Sequence, residues 1–117
     1  MAGQLTIDTL KASSGVLATQ NGMTGIAKAW LNYNGSTQTL NNSFNVSSVT
    51  YNSTGNYTVN FTTAIPNSTY AVAFGGYEYT SSGVLSQATT SFTFNTVAPN
   101  NAANVNRTIV QAVVFSS

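Results

Sequence analysis

Two carboxylates, Asp8 and Glu78, and three cations, Lys11, Lys28 and Arg107, are the only charged side chains in this sequence, and it contains neither His nor Cys. A carboxylate pair does general acid–base work only when one site holds both groups. Asp8 and Glu78 belong to different segments, so no shared site is expected. Without His and Cys, neither Ser-His-Asp nor Cys-His catalysis can be assembled. Zinc and other transition metals lose their main ligands, and calcium lacks the carboxylate oxygens it needs. The expectation is a protein that is not an enzyme and uses no metal or cofactor.

The remaining chemistry is neutral: stacking on rings, and hydrogen bonding by amides and hydroxyls. Trp30, Tyr77, Glu78 and Tyr79 are candidate glycan contacts, with loop Asn and Ser as hydrogen-bond partners. Tyr33, Tyr51, Tyr57, Tyr70, Tyr77 and Tyr79, with Trp30, could all form stacking platforms; the competing expectation for the tyrosines is that their rings fill a core and keep their hydroxyls at its edge. Glu78 reads as a solvated lone charge, a partner for Arg107, or part of a sugar-binding face. Gly75-Gly76 could admit a ligand to the backbone, but such a pair more often marks a bulge or corner in a sheet.

Asn, Ser and Thr supply 47 of the 117 residues. Ordinary soluble domains carry about a quarter charged residues; here the share is 4%. The scattered cations offer no cluster for nucleic-acid phosphates or an anionic membrane. No run of apolar residues is long enough for a transmembrane helix. The N-terminus shows no basic region followed by an apolar run, so no signal peptide is expected. Eight Asn-x-Ser/Thr triplets begin at Asn34, Asn41, Asn45, Asn52, Asn56, Asn60, Asn67 and Asn106. They are expected from composition alone, since glycosylation requires a secretory route.

The elements that would position these groups are strands. Ala27, Ala29, Leu31 and Tyr33 alternate with Lys28, Trp30 and Asn32. Tyr57, Val59 and Phe61 alternate with Thr58, Asn60 and Thr62, and Tyr70, Val72 and Phe74 alternate with alanines. Period two with Thr, Val, Tyr and Phe enrichment predicts β-structure. Asn34-Gly35 predicts a hairpin turn in which both residues tolerate positive φ. Asn52 to Asn56 separates Phe44–Tyr51 from the next strand, Pro66-Asn67 ends that strand, and Ser81-Ser82-Gly83 breaks the stretch after Tyr79. The last strand, Thr108 to Phe115, is apolar on nearly both faces apart from Gln111. It is expected either centrally in a sandwich or against another subunit.

Residues 1–25 carry too few large apolar side chains for a core of their own. They read as an arm that orders on a neighbouring subunit or particle, or as a frayed terminus with one edge strand near Leu5 and Ile7. Residues 26–117 are expected to form the folded domain. The fold class expected is all-β: about seven to nine antiparallel strands in a sandwich or jelly-roll-like domain with an N-terminal arm.

One series of motifs resembles a module of tail-fibre-like and other virion proteins of tailed bacteriophages, especially aquatic ones. It runs from Ala29-Trp30-Leu31-Asn32-Tyr33-Asn34-Gly35, through Phe44-Asn45-Val46-Ser47-Ser48-Val49-Thr50, to Thr54-Gly55-Asn56-Tyr57-Thr58-Val59-Asn60-Phe61-Thr62-Thr63-Ala64-Ile65-Pro66 and Tyr70-Ala71-Val72. It covers about residues 27–74. Leu5-Thr6-Ile7-Asp8-Thr9-Leu10 is similar to the opening of many such proteins. The resemblance implies an all-β, trimeric protein on the virion exterior and brings no catalytic residue. Tyr33 stands where Phe is usual, and the long shaft of a fibre is missing.

The function expected is therefore that of a homotrimeric structural protein on the surface of a phage head or tail, such as a decoration or cement protein or a short fibre. The partners expected are its own copies and, through the arm, major capsid or tail proteins, with no nucleic acid and no membrane insertion. Leu5, Ile7, Val110, Val113 and Phe115 are candidate interface residues. The alternative is a host-receptor or carbohydrate-binding knob; a filament or surface-layer subunit is a third.

Overall fold

The computed structural model describes residues 26–76, 81–98 and 103–116, together with Gly3. Eight strands follow one another among the described residues: β1 Ala27–Asn34, β2 Thr39–Phe44, β3 Val46–Ser53, β4 Asn56–Phe61, β5 Ala71–Gly76, β6 Ser81–Gln87, β7 Ser91–Val97 and β8 Val110–Phe115. They form two four-stranded sheets, sheet A in the order β2-β1-β8-β5 and sheet B in the order β3-β4-β7-β6. Every neighbouring pair is antiparallel. The sheets pack together as a sandwich.

Alternation sets which side chains lie between the sheets. Ala29, Leu31 and Tyr33 of β1 point inward, as do Tyr57, Val59 and Phe61 of β4, Phe92 and Phe94 of β7, and Val110, Ala112 and Val114 of β8; all are buried. A row of rings runs through this core. Tyr33 meets Tyr57 at 5.4 Å, Tyr57 meets Phe94 at 5.4 Å, and Phe94 meets Phe92 at 6.0 Å. Phe61 then stands 5.8 Å from both Phe92 and Tyr70. Edge-on and tilted ring contacts at these distances add to the burial of apolar area.

The hydroxyls of this row reach polar groups at its two ends. Tyr57 Oη donates toward Gly35 O at 3.1 Å and Asn106 Oδ1 at 2.8 Å. Tyr70 Oη approaches Ala88 O at 2.8 Å and Ser91 O at 2.9 Å. Buried hydroxyls with such partners avoid most of the desolvation penalty. Tyr33 Oη is the exception: it is buried without a hydrogen-bond partner.

Three local readings need correction. The Asn34-Gly35 turn exists, but it spans residues 35–38. Its left-handed residue is Gln38, with φ 55°. Asn34 Oδ1 instead accepts the backbone N–H groups of Ser36 and Thr37, both at 3.0 Å. Gly35 is needed for space, because a Cβ there would lie 2.4 Å from Tyr57 Oη. Ser81-Ser82-Gly83 does not break the chain but opens β6. The run from Phe44 to Tyr51 is not one strand, because it turns a corner at Asn45, with φ 58°.

That corner carries the chain from sheet A to sheet B. Asn tolerates the left-handed region better than most residues. Asn45 Nδ2 donates to Lys28 O and to Thr63 O, both at 3.0 Å, and Asn45 Oδ1 accepts from Thr63 N at 2.7 Å. One side chain thus ties β1 of sheet A to the segment leaving β4 of sheet B. No helix of the described residues is long and apolar enough to cross a membrane.

Candidate functional site

The outer face of sheet A holds Trp30 and two of the exposed aromatic side chains, Phe44 and Phe115. Trp30 lies on β1 between inward-facing Ala29 and Leu31, so it points away from the core. Its cross-strand partners are Phe44 on β2 and Val113 on β8, and Val113 in turn pairs with Ala73 on β5. The next row along the strands on this face runs Asn42, Asn32, Gln111 and Gly75 across the same four strands. At the other end of the face, Phe115 pairs with Ala71 and with Ala27. Phe44, Phe115 and nearby Ile26 are exposed by 36%, 42% and 40%. Directly opposed side chains on one sheet face sit about 5 Å apart, so these rows are contiguous.

A shallow groove of about 290 Å³ runs along this face, lined by Trp30, Leu31, Asn32, Gln111, Ala112 and Val113. Its polar walls are two amides. Asn41 Nδ2 donates to Asn32 Oδ1 at 3.1 Å, which orients the Asn32 amide with its oxygen toward β2. Gln111 reaches across β5: a Cβ on Gly75 would lie 3.1 Å from Gln111 Oε1. Gly75 therefore leaves room for the Gln111 side chain to lie flat, a structural use of the glycine pair.

No charge faces the groove from the described residues. Lys28 falls at a bulge between Ala27 and Ala29 and is fully buried. Arg107 lies by the turn after β1, its carbonyl accepting from Gly35 N at 2.7 Å. Among the described residues no cluster of three or more His, Cys, Asp or Glu exists.

The candidate residues are distributed unevenly. Trp30, Val113 and Phe115 share the outer face of sheet A. Val110 faces inward and is 2% exposed, so it belongs to the core. The last strand is central in sheet A, with one face buried and the other carrying Gln111, Val113 and Phe115 outward. Tyr77, Glu78, Tyr79, Leu5 and Ile7, and with them the arm at 1–25 apart from Gly3, lie outside the described residues. Asn32, Phe44, Gln111 and Gly75 were not singled out as neighbours of Trp30. Gln111 carried a signal, as the one polar residue of the last strand, but only the register places it beside Trp30.

The tyrosines divide between the two expectations. Tyr33, Tyr57 and Tyr70 are core residues, and burial raises the pKa of each hydroxyl, to about 12 for Tyr57 and Tyr70. Tyr51 is exposed, and hydrogen bonds from Thr54 and Asn106 lower its pKa. Comparison with family models, with curated proteins and with solved structures gives no match.

Proposed function

We propose that this chain is a structural protein of a bacteriophage virion surface, a homotrimeric head-decoration or cement protein or a short fibre, with a jelly-roll-like sandwich anchored through an N-terminal arm. The observation that carries this reading is the uncharged outer face of sheet A, where Trp30, Phe44, Val113 and Phe115 stand exposed or half-buried. Burying such a face against a neighbour requires no charge to be desolvated. Four strands about 4.8 Å apart, each about six residues long at 3.3 Å per residue, span roughly 400 Å². A stable interface takes about 800 Å² from each partner. The face alone is too small, so assembly needs contact area beyond it.

The phage module also agrees with how these residues are used. Its alternating Tyr57, Val59 and Phe61 are core residues, and its Asn45 is the corner between sheets. Its one substitution, Tyr33 for Phe, falls on a hydroxyl that has no partner, so Phe would fill the same place.

Native mass spectrometry of the full chain tests the assembly. The expected mass is three times 12.2 kDa, falling to a single chain in Phe115→Lys. A wild-type chain that stays monomeric at tens of micromolar sinks the reading. Particle imaging then separates head from tail placement. A second reading, a carbohydrate-binding knob, is favoured by the pairing of Trp30 with flanking amides in an open groove.

A further inference from the structure

We infer that the groove on the outer face of sheet A is a subsite for one neutral pyranose, stacked on Trp30 and held at its edge by the Asn32 and Gln111 amides. This rests on the carbohydrate-binding reading, the alternative to burying the same face against a neighbouring copy, and gives it a location and a ligand class. Three observations carry it. The volume, about 290 Å³, lies at the small end of ligand sites and suits one sugar ring. The face spans about half the area that a stable protein partner requires, yet it exceeds what a single ring covers. No charged side chain of the described residues faces it, which matches an uncharged ligand better than a sialic acid or a phosphate.

The chemistry of a pyranose fits this layout. One face of the ring presents C–H groups that pack against an indole, while its rim presents hydroxyls that both donate and accept. Each amide offers a donor and an acceptor side by side. The Asn32 amide is oriented by Asn41, at 3.1 Å, and Gln111 lies in the space Gly75 leaves open. Both walls are thus positioned by groups outside the groove. Gly75 is a positioning residue for Gln111, not a contact.

Trp30 is the single tryptophan of the chain, so its emission reports on this site alone. The experiment titrates the native full-length protein with methyl glycosides of glucose, galactose, mannose and N-acetylglucosamine, and with glucuronate and sialic acid. Fluorescence is read in parallel with saturation-transfer NMR. At least one neutral sugar should shift the Trp30 emission saturably, with Kd on the order of millimolar, and the anionic sugars should bind more weakly. Asn32→Ala and Gln111→Ala, which leave Trp30 and the core in place, should each weaken binding about tenfold, the scale of one hydrogen bond to a neutral ligand. Gly75→Val should weaken it too, with an unchanged circular dichroism spectrum. Sugar binding that NMR detects but that leaves Trp30 emission and both amide variants unaffected overturns the groove while keeping the carbohydrate reading. No binding to any sugar overturns both.

Discussion

The two sheets turn opposite surfaces outward. On sheet B the outward side chains of β3, β4 and β7 are mostly Asn, Ser and Thr, and they bond to one another across strands, while Leu85 on the edge strand β6 stays 55% exposed. Asn60 Nδ2 donates to Ser48 Oγ at 3.1 Å and Thr50 Oγ1 at 3.0 Å. Asn52 Nδ2 donates to Asn56 Oδ1 at 3.0 Å and Thr58 Oγ1 at 2.9 Å, and Thr58 meets Thr93 at 2.9 Å. On sheet A the corresponding rows hold Phe44, Trp30 and Val113, with amides only beside them. Among the described residues neither surface uses charge, yet they differ in what they leave undone. The ladder on sheet B satisfies itself and gains little from a partner. Sheet A leaves apolar area in water, which only a partner or ligand can remove.

The joint between the surfaces gives the largest effect. Asn45→Ala removes three side-chain hydrogen bonds and places a Cβ-bearing residue without a local polar partner at φ 58°. A loss of about 2–4 kcal/mol is expected in urea unfolding. Asn45→Gly, which relieves only the backbone, should lie between this variant and wild type. Equal losses in the two would mean that backbone conformation contributes nothing at this corner.

Next comes pH, which separates both surfaces from the space between them. The chain has two carboxylates and no His, so stability should be nearly flat from about pH 5 to 9. The tyrosines between the sheets respond to alkali. Burial raises Tyr57 and Tyr70 from 10.0 to about 12, so the unfolded chain loses these protons first. Their contribution is complete below pH 10 and disappears as pH rises toward 12. Unfolding midpoints measured across that window should fall, and the fall should be shallower in Tyr70→Phe.

Smaller effects sharpen the contrast directly. Thr58→Val on sheet B removes hydrogen bonds to Asn52 and Thr93 and should cost about 1 kcal/mol. Val113→Thr, the mirror change on sheet A, should alter monomer stability by less than about 0.5 kcal/mol. The same Val113→Thr change should weaken self-association in sedimentation experiments. Reversed magnitudes would remove the distinction between the two faces.

Much of the sandwich was legible. Strict alternation announced β1, β4 and β5, because each has one face against the core. β2 was not legible: the register with β1 slips between Asn32 and Tyr33, so Thr39 to Phe44 shows no clean period. Alternation also placed Lys28 beside Trp30, whereas the bulge at Ala27 and Ala29 takes it into the interior. Trp30 could be chosen as a residue of interest, but its neighbours come from strands about 80 residues apart in sequence. The triplets behaved differently again. All eight of their asparagines take part in side-chain hydrogen bonds, which gives each a structural use without any sugar attached.

Ala27 and Phe115 face each other across β1 and β8, so the described chain enters and leaves the sandwich at one pole. Tension applied between those two points would peel the strands apart one bonded pair at a time, as a zipper opens, and the fold would yield at low force. Tension between Ile26 and the loop at residues 35–38 would instead load the whole length of β1 in shear, with its hydrogen bonds to β2 and β8 resisting together. The domain is therefore mechanically strong when tethered at one pole and gripped at the other, and weak as a link inserted in a pulled chain.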